Sequence, residues 1–550
     1  MRVDWTANLY DRFPKAADTV YERRMRQLSR AIRSEPGWME ALNNAEMCAD
    51  WALQAKTRGL TDVEFQYVLE ELAYYSSLHL PDSDVRLSST DGVWFSDSLV
   101  DAETTIQLKD YVAILERVGG RPGNHHSIRH LIDPSLYPLV YGRSKLCLPR
   151  APLQTGFPGS IGGWRKALNG SGDADTFYFV PFPYERFSDQ DSDEEVEDRY
   201  FDNYDEHASE EFSWLPSEFL VNDDGSVAVE SYINDLHPAR HAALYPIIAS
   251  VFSKFIPLLE QVATDLVHPR PSRVVANVDS CYESDEPMPD KYSEDFGRWR
   301  EKAKFVHPQP EPFVVPQRPV SPYKLRGRRL QAIVKMTNVE LVPESPVYGG
   351  EPWSVAGLDN ERIIATGIFF YDVANIAGGS LKFREAISGL KYGVMLRDAD
   401  AICKLYGIDK ESRHSGVSMP QEVGSIDIKD GRCLVFPNTY QFQMPRLELK
   451  DATRAGHCKM LAFYFVEPTV RIPSTEIVPP QQKDWWMEDV LAHEPFRSLP
   501  ELLVDGIMAK IEFPISQRDA KKIRSDMVTE VGYLNGLLSC EYFDPNLLMW

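Results

Sequence analysis

Apolar residues recur at three- and four-residue spacing across residues 21–33, 39–55, 61–79 and 101–118, a period that predicts four helices in the N-terminal part of the chain. Asp62 and Glu64 fall in the first turn of the third, where acids suit the helix dipole. A longer apolar helix is expected over 238–266, kinked at Pro257. From residue 331 the period shortens to two. Alternating stretches at 331–341, 362–371, 380–383, 393–397, 424–428, 432–437, 440–445 and 457–466, parted by turn residues, predict a sandwich, barrel or jelly roll. Helical spacing returns at 485–492, 500–509 and 517–538. Residues 132–148 read as a loop and a short strand, and 268–323 are too rich in proline for regular structure. The fold class expected is α+β, with helical N- and C-terminal regions around a jelly-roll (double-stranded β-helix-like) core. Its expected divisions are a helical 1–130, a mixed 131–267, a proline-rich connector 268–330, the core 331–480 and a helical 481–550.

Composition narrows the setting. A chain of 550 residues with 43% hydrophobic content buries a substantial core. It has no run of about 18 apolar residues and no apolar leader after its first methionine, so neither a membrane span nor a secretory signal is expected. Seven scattered cysteines without a CxxC pair predict reduced thiols in the cytoplasm. The formal net charge of −23 argues against broad nucleic-acid binding. However, residues 189–211 hold twelve acids against the single Arg199, so much of that charge belongs to one solvated loop. Local basic surfaces remain compatible with the rest.

Several phrases carry a resemblance. They are 134–142 (PSLYPLVYG), 231–238 (SYINDLHP), 360–363 (NERI), 436–438 (FPN) and 477–480 (IVPP) followed by Trp485-Trp486. In combination, over roughly residues 130–490, they resemble a mostly fungal family catalogued as a domain of unknown function. Many members of that family carry an oxygenase-like Trp-His-x-Glu-Gly where this chain has Trp353-Ser354-Val355-Ala356-Gly357. They also carry a second His at the place of Phe442 and an Arg at the place of Cys458. The resemblance implies that two His and a carboxylate hold Fe(II) in such members, while the Arg pairs with 2-oxoglutarate. Serine, alanine, phenylalanine and cysteine cannot rebuild that set.

One branch of the family contains arginine-containing cyclodipeptide synthases, and a core without iron ligands resembles that branch. The resemblance implies arginyl-tRNA and a second aminoacyl-tRNA as partners, a cyclo-Arg-Xaa diketopiperazine as product and no cofactor. It implies no membrane and no stable protein partner. Two other readings stay open: an iron/2-oxoglutarate oxygenase with altered ligands, and a catalytically dead binding protein of the same fold.

Such a synthase needs carboxylates for the arginine guanidinium and groups that handle protons while an amine meets a carbonyl. Glu361 and Asp359, at i and i+2 at the mouth of the strand at 362–371 and so expected on one strand face, are the first candidates, with Asp372 at its far end. The bland reading has Glu361 pairing with Arg362 or a neighbouring strand. Ser354 and Cys458 are candidate nucleophiles, with His457 as base, against a neutral replacement, a buried thiol and a turn cap. Trp353, Arg362 and Tyr371 complete the expected substrate pocket. For RNA phosphates, Arg326, Arg328, Arg329 and Lys335 are preferred over the arginines of 23–33, although a solvated charged face is the plainer reading of each cluster. The run 125–130 (HHSIRH) lacks a carboxylate at metal-binding spacing and reads as a turn.

Overall fold

The chain is described from a computed structural model over residues 17–80, 83–119, 121–122, 127–147, 177–179, 207–274, 281–290, 293–318, 323–387, 399–408, 422–491, 494–508, 510 and 513–543. The strand expected at 393–397, His125, His126 and most of the acidic loop lie outside those residues.

Local chemistry sets the helix starts. The Thr19 hydroxyl caps α1 (Val20–Arg33), accepting from the Glu22 amide at 3.1 Å. The expected helix at 39–55 is broken into a turn, Trp38–Ala41, and α2 (Ala45–Thr57), which Asn44 caps. Thr61 and Glu64 form a reciprocal capping box on α3 (Asp62–Ser77). These helices close their own core around Met25, Leu28, Trp51, Val68 and Leu72.

The sheet begins within the region expected to be helical. β1 (Arg86–Leu87) and β2 (Trp94–Ser96) form a hairpin. After α4 (Ala102–Gly119) come β3 (Ile128–Ile132), β4 (Ser217–Val221) and the buried helix α5 (Leu244–Val267). The later strands are β5 (Arg328–Leu341), β6 (Ile363–Ala374), β7 (Ser380–Glu385), β8 (Glu422–Asp427), β9 (Cys433–Pro437), β10 (Tyr440–Gln443) and β11 (Gly456–Val466). The large sheet runs β1-β2-β9-β6-β11-β5-β3, with β4 also on β5, and every one of these pairs is antiparallel. A second antiparallel sheet has the order β8-β7-β10. The boundary expected at 330/331 is thus no boundary of the sheet. Residues 94–96, 128–132 and 217–221 supply strands because the long central strands need partners on both edges. Within the proline-rich connector, Glu294–Lys302 is helical, anchored by the buried Trp299.

Period-two alternation sorts the side chains of the large sheet. Along β11, Leu461, Phe463 and Phe465 face α4 and α5, whereas Ala462 and Tyr464 join the core shared with the second sheet. Helix α5 is long and apolar enough to cross a membrane by length and composition, yet two thirds of that stretch is buried here, 67%. Its Phe252 ring stacks on Phe219 at 4.1 Å and meets Phe463 edge-on at 5.2 Å. Gly367 on β6 is needed beneath it, since a Cβ there would lie 2.7 Å from the Phe255 ring. The C-terminal helix α6 (Gln517–Leu538) returns to pack Ala520, Ile523 and Met527 against Leu136, Tyr137 and Phe212.

Because the aromatic stack joins helix to sheet, Phe252→Ala is expected to cost about 3–5 kcal/mol. Urea unfolding checks this: the midpoint should fall at unchanged slope, and a loss below about 1 kcal/mol would show that the stack is not central.

Candidate functional site

The family phrases prove to be scaffold. The Asn234 side-chain amide donates to the carbonyls of Leu136 and Tyr137, both at 3.1 Å, and the Tyr232 hydroxyl donates to the Val478 carbonyl at 3.0 Å. Asn360 exchanges hydrogen bonds with the Ser209 backbone, and Asn438 with that of Ala356. These buried and half-buried amides satisfy irregular backbone that no ladder covers.

Two of the four positions that would carry iron and 2-oxoglutarate face one another. Ser354 and Phe442 form an antiparallel bridge, with backbone N–H···O distances of 3.2 and 3.0 Å. Phe442 lines a cavity of only about 60 Å³ between the sheets, together with Lys335, Thr366 and Tyr464. Cys458 is fully buried, its thiol pushed up to about 12 by burial. Among the described residues no cluster of three His, Cys, Asp or Glu has the geometry to hold a metal ion. A hydroxyl, a methyl, a phenyl ring and a buried thiol do not fit Fe(II), which takes imidazole and carboxylate.

The expected catalytic residues divide into two distant groups. Glu361 ends a 3₁₀ turn, Asp359–Glu361, so it and Asp359 do not share a strand face as expected. One Glu361 oxygen accepts from the Trp214 amide at 2.7 Å and the other from the Leu358 amide at 2.6 Å. Arg362 pairs instead with Glu467 at 3.2 Å. At the other end of β6, roughly 35 Å away at strand rise, His457 Nε2 lies 2.9 Å from Asp372, opposite Ala374. Asp372 also pairs with Lys109 at 2.9 Å, and burial opposed by Lys109, His457 and Lys459 leaves its carboxyl below the usual range. Tyr371 is buried against Asn338. Trp353 lies under the Arg384 guanidinium at 4.9 Å, in a third place again.

The preferred basic cluster is also dispersed. Arg329 is tied to Glu230 and Glu476, Arg328 donates to the Tyr323 hydroxyl at 3.0 Å, and Arg326 packs over Gly225. Lys335 points into the small cavity between the sheets, where Tyr464, burial and Glu351 act on it and the net effect raises its pKa. Only Arg326 and Arg328 remain near the surface that RNA would need. The third histidine of the 125–130 run, His130, sits on β3 with Nδ1 3.0 Å from Thr337 Oγ1, and burial lowers it to about 4.

What sequence reasoning missed is a charged cavity of about 380 Å³ where α1, α3, the end of α5 and the second sheet meet. Asp91, in the β1–β2 hairpin, organises it. Its carboxylate lies 2.7 Å from Arg33, 3.1 Å from Arg273 and 3.5 Å from Arg270, and it accepts from the Tyr75 hydroxyl at 2.7 Å. Burial works to raise the Asp91 carboxyl, but the three guanidinia and that hydroxyl hold it well below the carboxylate range. Tyr440 donates to the Asp91 carbonyl at 3.0 Å. Arg273 pairs with Glu71 at 2.9 Å, leaving Glu71 Oε2 buried without a hydrogen-bond partner. Glu385, at the end of β7, stands 3.6 Å from Arg26 on the same wall. Glu71, Asp91, Asp265 and Glu385 thus face Arg26, Arg270 and Arg273 in one cavity. The available signal was Arg26 and Arg33 at i and i+7 on α1, which put both on one helix face, beside Glu71 and Tyr75 at i and i+4 on α3.

Glu361 makes a pH prediction. Burial pushes its carboxyl up to about 7, against the Trp214 and Leu358 amides, whereas an unfolded glutamate titrates near 4.3. Between those values the native state keeps a proton that the unfolded chain has lost, so stability falls as pH rises through the window and levels off above it. The fall in unfolding free energy between about pH 5 and about pH 8, read from urea titrations, should be larger in the wild type than in Glu361→Gln by roughly 2–3 kcal/mol. An equal pH dependence in the two proteins would contradict the buried-carboxyl assignment.

Comparison with known proteins places the chain in context. No curated protein matches it. IDO from Bacillus thuringiensis aligns over 25% of this chain and 46% of its own, at 9% identity and a TM-score of 0.16. A bsmA homolog from Methylobium petroleophilum PM1 aligns over 26% and 44%, at 10% identity and 0.16. The Fe(II)/(alpha)ketoglutarate-dependent dioxygenase TqaL aligns over 48% and 72%, at 10% identity and 0.19. The chain spans less than half the length of the first two, and similarity at these TM-scores carries no argument about function. One family, described as "Protein of unknown function (DUF4246)", matches residues 62–489, and the chain belongs to it.

Proposed function

We propose that this protein is a tRNA-dependent synthase of arginine-containing cyclic dipeptides, with the charged cavity as its amino-acid site. The two facing antiparallel sheets support a jelly-roll reading of the core that carries this site. The observation that carries the functional reading is that Glu71 and Glu385 line one cavity, with Glu71 Oε2 buried and without a hydrogen-bond partner. An unpaired carboxylate oxygen in such a place is costly, and a guanidinium presents the planar donors that would satisfy it. A cavity of about 380 Å³ also matches a ligand of amino-acid to dipeptide size.

The chemistry balances without electron transfer. The α-amine of one aminoacyl group attacks the ester carbonyl of the other; a C–N bond forms, the C–O bond breaks and the ribose hydroxyl leaves with the proton. The new terminal amine then attacks the remaining ester in the same way, which closes the six-membered ring and frees the second tRNA. The enzyme's share is to orient amine and carbonyl, and to move protons. Glu71 and Glu385 would grip the guanidinium. Arg270, whose Nη1 stands 3.5 Å from the Asp91 carboxylate without a hydrogen bond, would turn toward the developing oxyanion. Glu361, Asp359, Ser354 and His457 have no role in this scheme, since none of them lines the cavity.

Expression in a host that makes no diketopiperazines should yield cyclo-Arg-Xaa masses, and the purified protein should make the same product from amino acids, ATP, synthetases and tRNA in an RNase-sensitive way. Glu385→Gln is expected to cut product at least about tenfold, the size of one lost charge-assisted contact, while Glu361→Gln still forms it. Absence of product from the wild type, or full activity in Glu385→Gln and Glu71→Gln alike, would overturn the assignment in favour of a purely structural ion network.

A further inference from the structure

The charged cavity has an apolar side as well as a charged one. Helices α1 and α3 line it only with charge, Arg26 and Glu71. The end of α5 and the sheet edges add apolar residues: Val262 and Leu266 one turn apart on α5, Pro269 just beyond that helix, Ala386 after β7, Val423 on β8 and Pro437 at the end of β9. Val262, Ala386 and Val423 are buried and belong to three separate apolar clusters, so the cavity floor lies where three cores meet. Leu266 is half-buried and Pro269 exposed, which puts them toward the rim.

Resting on the synthase reading, we infer that this apolar side receives the second amino acid, and that its side chain is apolar and compact, of the proline, valine or leucine class. The charged groups around it are committed. Asp265, between Val262 and Leu266 on α5, accepts from the Trp94 indole at 2.7 Å and from Arg318 at 3.0 Å. Arg26 pairs with Asp18 at 2.6 Å, and Arg273 with both Glu71 and Asp91. In the synthase reading Glu71 and Glu385 hold the guanidinium, and Arg270 turns to the oxyanion. A polar second side chain would therefore shed water against valine, alanine and leucine methyls without gaining a partner. Thr439 adds a hydroxyl to the lining, which suits the amide group common to all amino acids.

Size narrows the class further. A volume of about 380 Å³ stands near the lower end of the range for small-molecule sites, roughly 300–1,000 Å³. With an arginyl group and a diketopiperazine ring inside, a leucine or proline side chain covers the apolar floor, whereas an indole needs walls that yield. These walls are stiff. Pro269 and Pro437 have fixed φ, and Val262, Ala386 and Val423 are packed into their cores. Leu266, half-buried at the end of α5, is the side chain with room to adjust, and it is the specificity-determining residue for the second position.

The test uses the full-length protein and three synthetic ligands, cyclo-Arg-Leu, cyclo-Arg-Gln and cyclo-Arg-Trp, with affinities read by isothermal titration calorimetry. Cyclo-Arg-Leu should bind at least about tenfold more tightly than cyclo-Arg-Gln, the effect of one desolvated amide without a partner, and severalfold more tightly than cyclo-Arg-Trp. Leu266→Gln should narrow the first ratio. Leu266→Ala, which makes room without adding polarity, should narrow the second. Ratios measured within one folded protein are unmoved by a general loss of stability. Glu385→Gln should weaken all three ligands by the same factor, because it acts on the guanidinium. In the reconstituted synthesis, with all the proteinogenic amino acids offered, the main product should carry an aliphatic residue or proline beside arginine. Equal affinity for cyclo-Arg-Leu and cyclo-Arg-Gln, ratios unchanged in folded Leu266 variants, or no binding of any of the three would overturn the subsite. A main product with a polar, charged or indole side chain would do the same and leave the synthase reading standing. If the expected preferences hold but no product ever forms, the subsite stands and the synthase reading falls.

Discussion

Asp91 is the residue on which the arrangement of parts depends. It sits in a tight hairpin whose Gly92 takes a φ of 71°, and from there one carboxylate reaches three guanidinia and a phenol. Arg33 comes from α1, Tyr75 from α3, and Arg270 and Arg273 from the segment after α5. One side chain therefore holds the N-terminal helices and the chain leaving the core helix to the edge of the large sheet. Bringing so many charges out of water is expensive, and well-packed apolar residues often serve stability as well or better. That cost is easier to understand where a charged ligand uses the site, and this is the physical root of the functional proposal.

The positions where the family resemblance would put iron ligands lie in packed interior. Ser354 and Phe442 stand opposite each other, but a hydroxyl and a phenyl ring do not make a site for Fe(II). Phe442 packs edge-on against Phe436 at 5.2 Å, and Lys335 enters the space that remains. With a cavity of only about 60 Å³, the interior between the sheets is core. The polar, hollow part of the molecule now lies where the helical region meets the sheet edges.

Much of the architecture was legible from periodicity. The helices at 61–79, 101–118 and 517–538 and seven of the strands stand within a few residues of their expected bounds, because a face packed on a core must repeat at the period of its element. Three things were hidden. The strands at 94–96, 128–132 and 217–221 are too short to show a period, and they are set by the need of β5 and β9 for partners. The arginines of α1 look like a solvated face in sequence, since nothing local reveals that α3 and residues 270–273 close over Arg26 and Arg33. The acids before β6 looked like a cavity mouth, but Glu361 spends both oxygens on backbone amides. The phrases that identify the family are visible for the same reason: they bond irregular backbone, which tolerates few alternatives, whereas the cavity draws single residues from distant segments.

The most direct test of the account is a crystal structure of the protein soaked with a cyclo-arginyl dipeptide. The account predicts density in the cavity beside Asp91, with the guanidinium within hydrogen-bond distance of Glu71 and Glu385. A ligand bound instead between the two sheets, against Ser354 and Phe442, would contradict it.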